Sequence, residues 1–267
     1  MHRRPRLVAT DLDGTLLRSD GTVSAYTLDV LDRARESGVD VVAVTARSPI
    51  GIEAVAEDTG LIGTAIIGNG SMLYDLDARR LLSSTVISAA AARAAAEEAR
   101  SVIPDAGFAV TNGLSMFADA SYGAVTMLFH IRTVVAPDEL WAAQDIVRLY
   151  MHSRSLDTDA MFERVAGLGS VWMHAGGESM LEFGAPGVTK ASALRDLCDA
   201  RGIAAADVAA FGDMPSDLEM LAWAGHPHAV ANAHPLVLAA VSRRAPANDE
   251  DGVAKAVEGL LFGPPAA

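Results

Sequence analysis

Residues 7–15 read Leu-Val-Ala-Thr-Asp-Leu-Asp-Gly-Thr, and this stretch constrains the fold of the chain most strongly. An apolar run typical of a buried strand stops at two aspartates, Asp11 and Asp13. Residues two apart share one side of a strand, so both carboxylates can point off its end into one site. A hard divalent cation would relieve their repulsion. Gly14 would let the chain turn away, and Thr15 offers a hydroxyl and a backbone N–H to an anion. A plain Asp-Gly turn after a strand is the simpler alternative.

The segments around this motif predict an α/β core. Apolar, β-branched runs alternate with amphipathic segments at the spacing of parallel strands joined by right-handed helical crossovers. The predicted strands are 7–10, 39–44, 64–67, 208–211 and 228–230. The predicted helices are 24–37, 49–59, 190–201, 215–224, 236–241 and 252–261.

The middle of the chain has a different pattern of short strands and fewer helices, which is typical of an α+β unit. The predicted helices there are 88–102 and 137–147, and the predicted strands are 108–111, 116–118, 126–129, 170–173 and 180–183. A glycine-bounded hinge is predicted at 184–187. We therefore predict a core domain formed by residues 1–79 and 187–267, interrupted by an inserted α+β domain at residues 80–186.

Charge and cysteine content exclude several classes of function. The net charge of −13 argues against nucleic acid or an anionic membrane as the main partner, because both bind basic surfaces. No apolar run approaches the length of about 20 residues that spans a bilayer. The single cysteine, Cys198, allows no intrachain disulfide and fits a reducing compartment. We expect a cytoplasmic protein that acts on a small molecule.

Further polar groups follow the other predicted strands, at the edge where open parallel sheets bind ligands. These groups are Thr45, Arg47, Asp213, Ser216 and Asp217, with Lys190 at the start of a helix. Each has an ordinary alternative: a structural threonine, a surface ion pair, a turn with a helix N-cap, or a solvated lysine. Together they predict phosphoryl transfer, which needs a nucleophile, a divalent cation and cationic groups around the moving oxygens.

The chemistry assigns a separate task to each acid. Asp11 would attack the phosphorus and form an aspartyl phosphate. Asp13 would protonate the leaving group and then deprotonate the attacking water. Asp213 and a carboxylate oxygen of Asp11 would bind Mg²⁺, which prefers oxygen ligands and retained waters.

The other groups would hold the phosphate or orient its ligands. Thr45 and Lys190 would bind the phosphoryl oxygens. Asp217 would hold a metal-bound water or Lys190 in place.

These motifs resemble the haloacid dehalogenase (HAD) superfamily of phosphatases, which use an aspartate nucleophile. The matching segments are Asp11-Leu-Asp13-Gly14-Thr15, Thr45, Lys190 and Gly212-Asp213-x-x-x-Asp217. The place of the insertion, between the second and third segments, resembles the Cof-type branch (subclass IIB). Other segments similar to that branch are Asn69-Gly70, Asn232-Ala233 and Asn248-Asp249-x-Asp251-Gly252-Val253. The chain departs from the branch at Ala46, where glycine is usual, and at Ser216, where asparagine is often found.

The resemblance implies a HAD-like core with a Rossmann-like parallel sheet and an α+β cap that sets substrate specificity. It implies Mg²⁺-dependent hydrolysis of small phosphorylated metabolites such as sugar phosphates. It adds the backbone carbonyl of Asp13 to the metal ligands and Asn232 to the phosphate ligands, with stabilisation of a loop as the alternative role for Asn232. A phosphomutase and a non-catalytic metabolite-binding protein are the alternative functions. A monomer or homodimer is expected, and the sequence does not identify the substrate.

Overall fold

The computed structural model describes residues 4–122, 131–142, 145–167, 172–175 and 180–263. The chain divides into two compact units. The first unit comprises Met1–Arg47, Gly51–Leu82 and Thr189–Ala267, and the second comprises Ser48–Ile50 and Ser83–Val188. The assignment of residues 1–79 and 187–267 to a core domain and of 80–186 to a cap stays a prediction.

Fourteen strands and eight α-helices form within the described ranges. The strands are β1 (Leu7–Thr10), β2 (Asp40–Val44), β3 (Thr64–Ile67), β4 (Met72–Asp75), β5 (Arg80–Ser84), β6 (Gly107–Thr111), β7 (Ser115–Ala118), β8 (Ile131–Val134), β9 (Arg148–His152), β10 (Trp172–Ala175), β11 (Met180–Gly184), β12 (Val208–Gly212), β13 (His226–Val230) and β14 (Arg244–Ala245). The helices are α1 (Ala25–Glu36), α2 (Pro49–Thr59), α3 (Ala89–Val102), α4 (Thr158–Val165), α5 (Lys190–Ala200), α6 (Leu218–Trp223), α7 (Pro235–Ala240) and α8 (Gly252–Phe262). Among the helices of these ranges, none has both the length and the apolar character that crossing a bilayer requires.

An eight-stranded sheet forms the first unit, in the order β14-β13-β12-β1-β2-β3-β4-β5. The six strands from β14 to β3 are parallel to their neighbours, and β4 runs antiparallel to β3. Every residue of β1 and β12 is buried, because helices cover both faces of a parallel sheet. The carboxyl ends of β1, β2 and β12 therefore meet at one edge, and the predicted α/β fold is confirmed.

A six-stranded sheet forms the second unit, in the order β10-β11-β9-β6-β7-β8. Its pairs are antiparallel apart from the parallel pair β7 and β8. The alanine-rich helix α3 buries Ala92, Ala95, Ala96 and Ala99 in an apolar core with residues of β6, β9 and α4. Small alanine side chains let this helix lie close to the sheet.

The predicted helix at 137–147 is wrong. Of the residues that the structure describes in this segment, only Glu139–Ala142 form a short 3₁₀ turn, and Asp145 adopts a left-handed backbone with φ of 61°. Ile146 then pairs with Ile87, and β9 follows with β6 and β11 as neighbours. The apolar residues of this segment are buried by strand pairing with distant parts of the chain, which their local spacing does not encode.

Other local predictions differ in smaller ways. The strands and α-helices that the sequence did not predict are β4, β5, β8, β9, β14 and α4. The predicted helix 215–224 begins as a 3₁₀ turn, Pro215–Asp217, before α6. The predicted strand 126–129 and residues 170–171 of the predicted strand 170–173 lie outside the described residues.

A buried histidine in β13 makes the free energy of unfolding of the protein depend on pH. The ring of His228 stacks on Phe211 with 4.9 Å between centroids, and its Nδ1 donates to the carbonyl of His226 at 3.0 Å. Burial lowers the pKa of His228 from 6.5 to about 4. The unfolded chain binds this proton near pH 6.5, so the stabilisation is complete above that pH and is lost as the pH falls towards 4.

We expect His228 to reduce the free energy of unfolding by about 2 kcal/mol between roughly pH 7 and pH 4.5. Urea unfolding of the wild type and of His228→Phe at both pH values measures this share, because phenylalanine cannot take up a proton. Between roughly pH 7 and pH 4.5, the free energy of unfolding of His228→Phe should fall by about 2 kcal/mol less than that of the wild type. Equal losses in the two proteins would contradict the assignment.

Candidate active site

The chain turns sharply after β1 over Leu12–Leu16, where the backbone of Asp13 and Gly14 is not helical. Gly14 lies in this turn with φ of 78°, and a Cβ atom there would lie 2.6 Å from Oδ2 of Asp213. Both the backbone conformation and the close approach therefore require glycine. The turn leaves Asp11 buried and Asp13 exposed. The two carboxylates that the sequence predicted to lie together thus have different surroundings.

A buried lysine joins Asp11 to the segment after β12. Lys190 is the first residue of α5, a helix that Thr189 begins with a capping box. Its Nζ donates to Oδ1 of Asp11 at 2.8 Å and to Oδ1 of Asp217 at 2.7 Å. The Lys190 side chain is only 4% exposed. This burial excludes the alternative of a solvated lysine.

The carboxylate of Asp217 is held at both oxygens. Besides accepting from Lys190, it accepts through Oδ2 from the backbone N–H groups of Asp213 and Met214, at 3.1 and 3.0 Å. These contacts fit a residue that orients the lysine and the loop after β12. The role predicted for Asp217, to hold a metal-bound water or Lys190 in place, stays a prediction.

Asp213 is oriented by a hydroxyl from the first motif. Thr15 is buried and donates through Oγ1 to Oδ1 of Asp213 at 2.7 Å. The sequence predicts that this hydroxyl serves a bound anion. It binds a carboxylate of the protein instead, because the turn directs it towards the neighbouring strand end.

Three carboxylates and the ammonium group of Lys190 form this cluster. One oxygen each of Asp11, Asp213 and Asp217 lies within 4.8 Å of the others. Burial raises the pKa of Asp11 to about 8; Lys190 opposes this shift, and the two other carboxylates add to it. Burial also raises the pKa of Asp213, against the Thr15 hydrogen bond. Burial alone would lower the pKa of Lys190, but the carboxylates of Asp11 and Asp217 outweigh it and raise that pKa.

The charge and chemistry of this cluster fit a magnesium ion. If all three carboxylates are ionised, one ammonium leaves two negative charges in a buried site, and burial disfavours this state by raising the pKa of Asp11 and of Asp213. A divalent cation would balance these charges. Carboxylate oxygens are also the ligands that Mg²⁺ prefers. Since both oxygens of Asp217 accept hydrogen bonds, Asp11 and Asp213 are the carboxylates best suited to bind the ion.

Arg47 follows β2 and binds the carboxylate of Asp13 through two hydrogen bonds. Its Nε donates to Oδ2 at 2.8 Å and its Nη2 donates to Oδ1 at 2.6 Å. This two-point hydrogen bond raises the pKa of the guanidinium and fixes the orientation of the carboxylate. The side chain of Asp13 is 57% exposed, so it lies on the open side of the cluster. The ion pair considered from the sequence is present, and its acid is the predicted proton-transfer residue.

Thr45 and Asn69 lie together beyond β2 and β3. Thr45 is buried, and its Oγ1 accepts from the backbone N–H of Arg47 at 3.2 Å. The backbone N–H of Asn69 donates to the carbonyl of Thr45 at 3.0 Å. Asn69 has a left-handed backbone, and its buried Oδ1 has no hydrogen-bond partner among the described residues.

Asn232 stabilises the loop around Gly14. Its Nδ2 donates to the carbonyl of Gly14 at 2.7 Å, and its Oδ1 accepts from the backbone N–H of Asn248 at 3.0 Å. These contacts favour the loop-stabilising role over the predicted phosphate contact, which stays a prediction. Ser216 is exposed in the turn after β12.

The segment that follows the first motif is tied to residues that the sequence analysis did not assign to the site. The ties join Asn248 to the carbonyl of Leu17, Asp249 to Ser19 and Asp251 to Arg18. The Asn-Asp-x-Asp-Gly motif at residues 248–252 is the sequence signal that could have indicated these contacts.

Comparison with known proteins places this chain among hydrolases. Residues 8–257 match the model of a family described as haloacid dehalogenase-like hydrolase. The chain is 27% identical to a 5-amino-6-(5-phospho-D-ribitylamino)uracil phosphatase of Bacillus subtilis, over 97% of this chain and 99% of that protein. It is 27% identical to an HMP-PP phosphatase of Yersinia pestis, over 86% of this chain and 85% of that protein.

Among solved structures, a HAD superfamily phosphatase from Bacteroides thetaiotaomicron superimposes with a TM-score of 0.81 at 21% identity. The alignment covers 96% of this chain and 95% of that one. At this identity the likeness shows the fold.

Proposed function

Since the chain belongs to the haloacid dehalogenase-like hydrolase family, we propose that it is a Mg²⁺-dependent phosphatase of small phosphorylated metabolites. The hydrolysis passes through an acyl phosphate of Asp11. The buried lysine shared by Asp11 and Asp217, with Asp213 beside them, is the observation that carries this proposal. The names of the similar proteins support the class of reaction, and they differ in the substrate.

The carboxylates of Asp11 and Asp213 and the backbone carbonyl of Asp13 would hold the Mg²⁺ ion. When bound, the ion would balance the negative charge of the cluster and draw electron density from the phosphoryl oxygens. Lys190 and the hydroxyl of Thr45 would bind the remaining phosphoryl oxygens.

The reaction has two displacements at phosphorus. A carboxylate oxygen of Asp11 bonds to the phosphorus, the bond to the ester oxygen breaks, and that oxygen takes a proton from Asp13. Water then gives a proton to Asp13 and attacks the same phosphorus, and the bond to Asp11 breaks. Protonation removes the negative charge of the Asp13 carboxyl, so the two hydrogen bonds from Arg47 are weaker whenever Asp13 carries the proton.

A panel of phosphorylated metabolites tests this function. We expect phosphate release from at least one member with Mg²⁺, its loss with EDTA, and its recovery when Mg²⁺ is added back. Release that EDTA leaves unchanged would contradict the role of the cluster. Transfer of phosphate to a second sugar position would indicate a phosphomutase, and tight binding without any release would indicate a binding protein.

A further inference from the structure

The turn at residues 68–70, which contains the Asn69-Gly70 motif, lies between two parts of the proposed site. Gly68, Asn69 and Gly70 all have positive φ, of 57°, 52° and 99°. The backbone N–H of Gly68 donates to the carbonyl of Arg47 at 2.9 Å. The next N–H, that of Asn69, donates to the carbonyl of Thr45 at 3.0 Å. One side of the turn is therefore fixed to the segment that follows β2.

On the other side of the turn, Gly70 packs against the peptide bond between Thr189 and Lys190. A Cβ atom at Gly70 would lie 2.2 Å from the carbonyl oxygen of Thr189, 2.6 Å from the carbonyl carbon and 3.2 Å from the nitrogen of Lys190. These are backbone atoms, so no rotation of a side chain relieves the overlap. Any residue with a Cβ atom would push the turn and this peptide apart by at least about 1 Å. The observed contact therefore requires glycine.

The same peptide determines where the side chain of Lys190 begins. The carbonyl of Thr189 accepts from the backbone N–H of Ala193 at 3.1 Å, so this peptide is part of the first turn of α5. From there, Nζ of Lys190 reaches Asp11 at 2.8 Å and Asp217 at 2.7 Å. The lengths of such hydrogen bonds vary by only about 0.5 Å. A displacement of the peptide by about 1 Å would therefore disturb both contacts.

Thr189 is also held by α6, because its Oγ1 donates to Oε2 of Glu219 at 3.0 Å. This helix begins one residue after Asp217, to which Lys190 binds. Gly70 and Glu219 thus hold Thr189 at two different atoms, its carbonyl and its hydroxyl. The peptide before Lys190 is fixed from two directions.

We propose that Gly70 is a positioning residue for phosphoryl transfer. The contact of its backbone with the Thr189 carbonyl sets the place of Lys190, and with it the distance from Nζ to the phosphoryl oxygens. This inference rests on the proposed phosphatase function. It gives the Asn69-Gly70 motif a role that needs no contact with the substrate.

Replacing Gly70 with alanine tests this role. We expect kcat of Gly70→Ala for the best ester of the panel to fall at least about tenfold, because a misplacement of about 1 Å weakens the contact of Lys190 with the transition state. Gly70→Asn carries the same Cβ atom with less backbone strain, since asparagine adopts positive φ more readily than alanine. Its kcat should fall in the same way.

Gly202→Ala is the matched control, because Gly202 also has positive φ, of 60°, and follows the other end of α5. Apart from its neighbours in the chain, no described residue has an atom within 4 Å of the added Cβ. This variant carries backbone strain without the close contact, and it should keep the wild-type kcat.

A double-variant cycle separates an effect through Lys190 from a general loss of structure. In a Lys190→Met background, Gly70→Ala should lower kcat no further, because the group that it displaces is already gone. A fall by the same factor in both backgrounds would overturn the positioning role.

The remaining outcomes separate this inference from the proposed function. A folded Gly70→Ala or Gly70→Asn variant with the kcat of Gly202→Ala would overturn the role of Gly70 and leave the phosphatase function standing. If circular dichroism shows that both variants fail to fold while Gly202→Ala folds, Gly70 serves the fold and its positioning role is overturned. A wild type that hydrolyses no phosphate ester would overturn the proposed function, and this inference with it.

Discussion

Replacing Asp11 with asparagine is expected to reduce the turnover number at least about 10³-fold while the protein stays folded. An amide oxygen is a poor nucleophile and cannot form the acyl phosphate. The same change removes one negative charge from a buried cluster that holds three carboxylates and one lysine. In EDTA, the melting temperature of Asp11→Asn should therefore be no lower than that of the wild type.

Asp29→Asn is the matched control, because Asp29 is an exposed aspartate on α1 that pairs with Arg33. It should keep both the turnover number and the melting temperature. The turnover of all three proteins is measured with the best ester of the panel, and their unfolding is followed by circular dichroism. An Asp11→Asn enzyme that retains a tenth or more of the wild-type rate would contradict the role of Asp11.

Replacing Lys190 with methionine is expected to lower the free energy of unfolding by about 3 kcal/mol in EDTA. The substitution keeps the length of the side chain but leaves Asp11 and Asp217 buried without their shared cation. Added Mg²⁺ should stabilise the variant more than the wild type, since the ion then supplies the missing positive charge. Turnover should fall at least about 10²-fold, because a phosphoryl ligand is lost.

Lys255→Met on α8 removes an exposed lysine and is the control. It should change neither the free energy of unfolding nor the turnover number. The double variant Lys190→Met/Asp217→Asn should recover part of the lost stability, because one of the two unpaired carboxylates is gone. Urea unfolding with EDTA and with Mg²⁺ gives all the values. If Lys190→Met were as stable as Lys255→Met, the buried cluster would not depend on its lysine.

The sequence predicted the groups that the ends of buried strands bring together. Asp11 and Asp213 follow β1 and β12, which are neighbours in a parallel sheet, so their meeting follows from topology alone. Lys190 was identified with them because it opens the helix α5. The pairing of Arg47 with Asp13 was only one alternative, since it depends on how two loops turn.

Contacts that depend on distant loops were not predicted. The tie from Asn232 to Gly14 spans 218 residues of sequence, and no local pattern indicates it. The strand β9 is not predicted, and the segment 137–147 before it is predicted as a helix, for the same reason. Its apolar residues are buried by β6 and β11, which lie on either side of it in the sheet and far from it in the chain.

Trapping the phosphorylated enzyme identifies the residue that attacks the phosphorus. The enzyme is mixed with Mg²⁺ and its best substrate, quenched in acid during turnover, and treated with borohydride, which reduces an acyl phosphate of aspartate to homoserine. Mass spectrometry of the peptide that contains residues 7–15 then locates the modified residue. We expect homoserine at position 11 in place of Asp11, and none without substrate. Homoserine at another aspartate, or its absence during confirmed turnover, would contradict the role of Asp11 as the nucleophile.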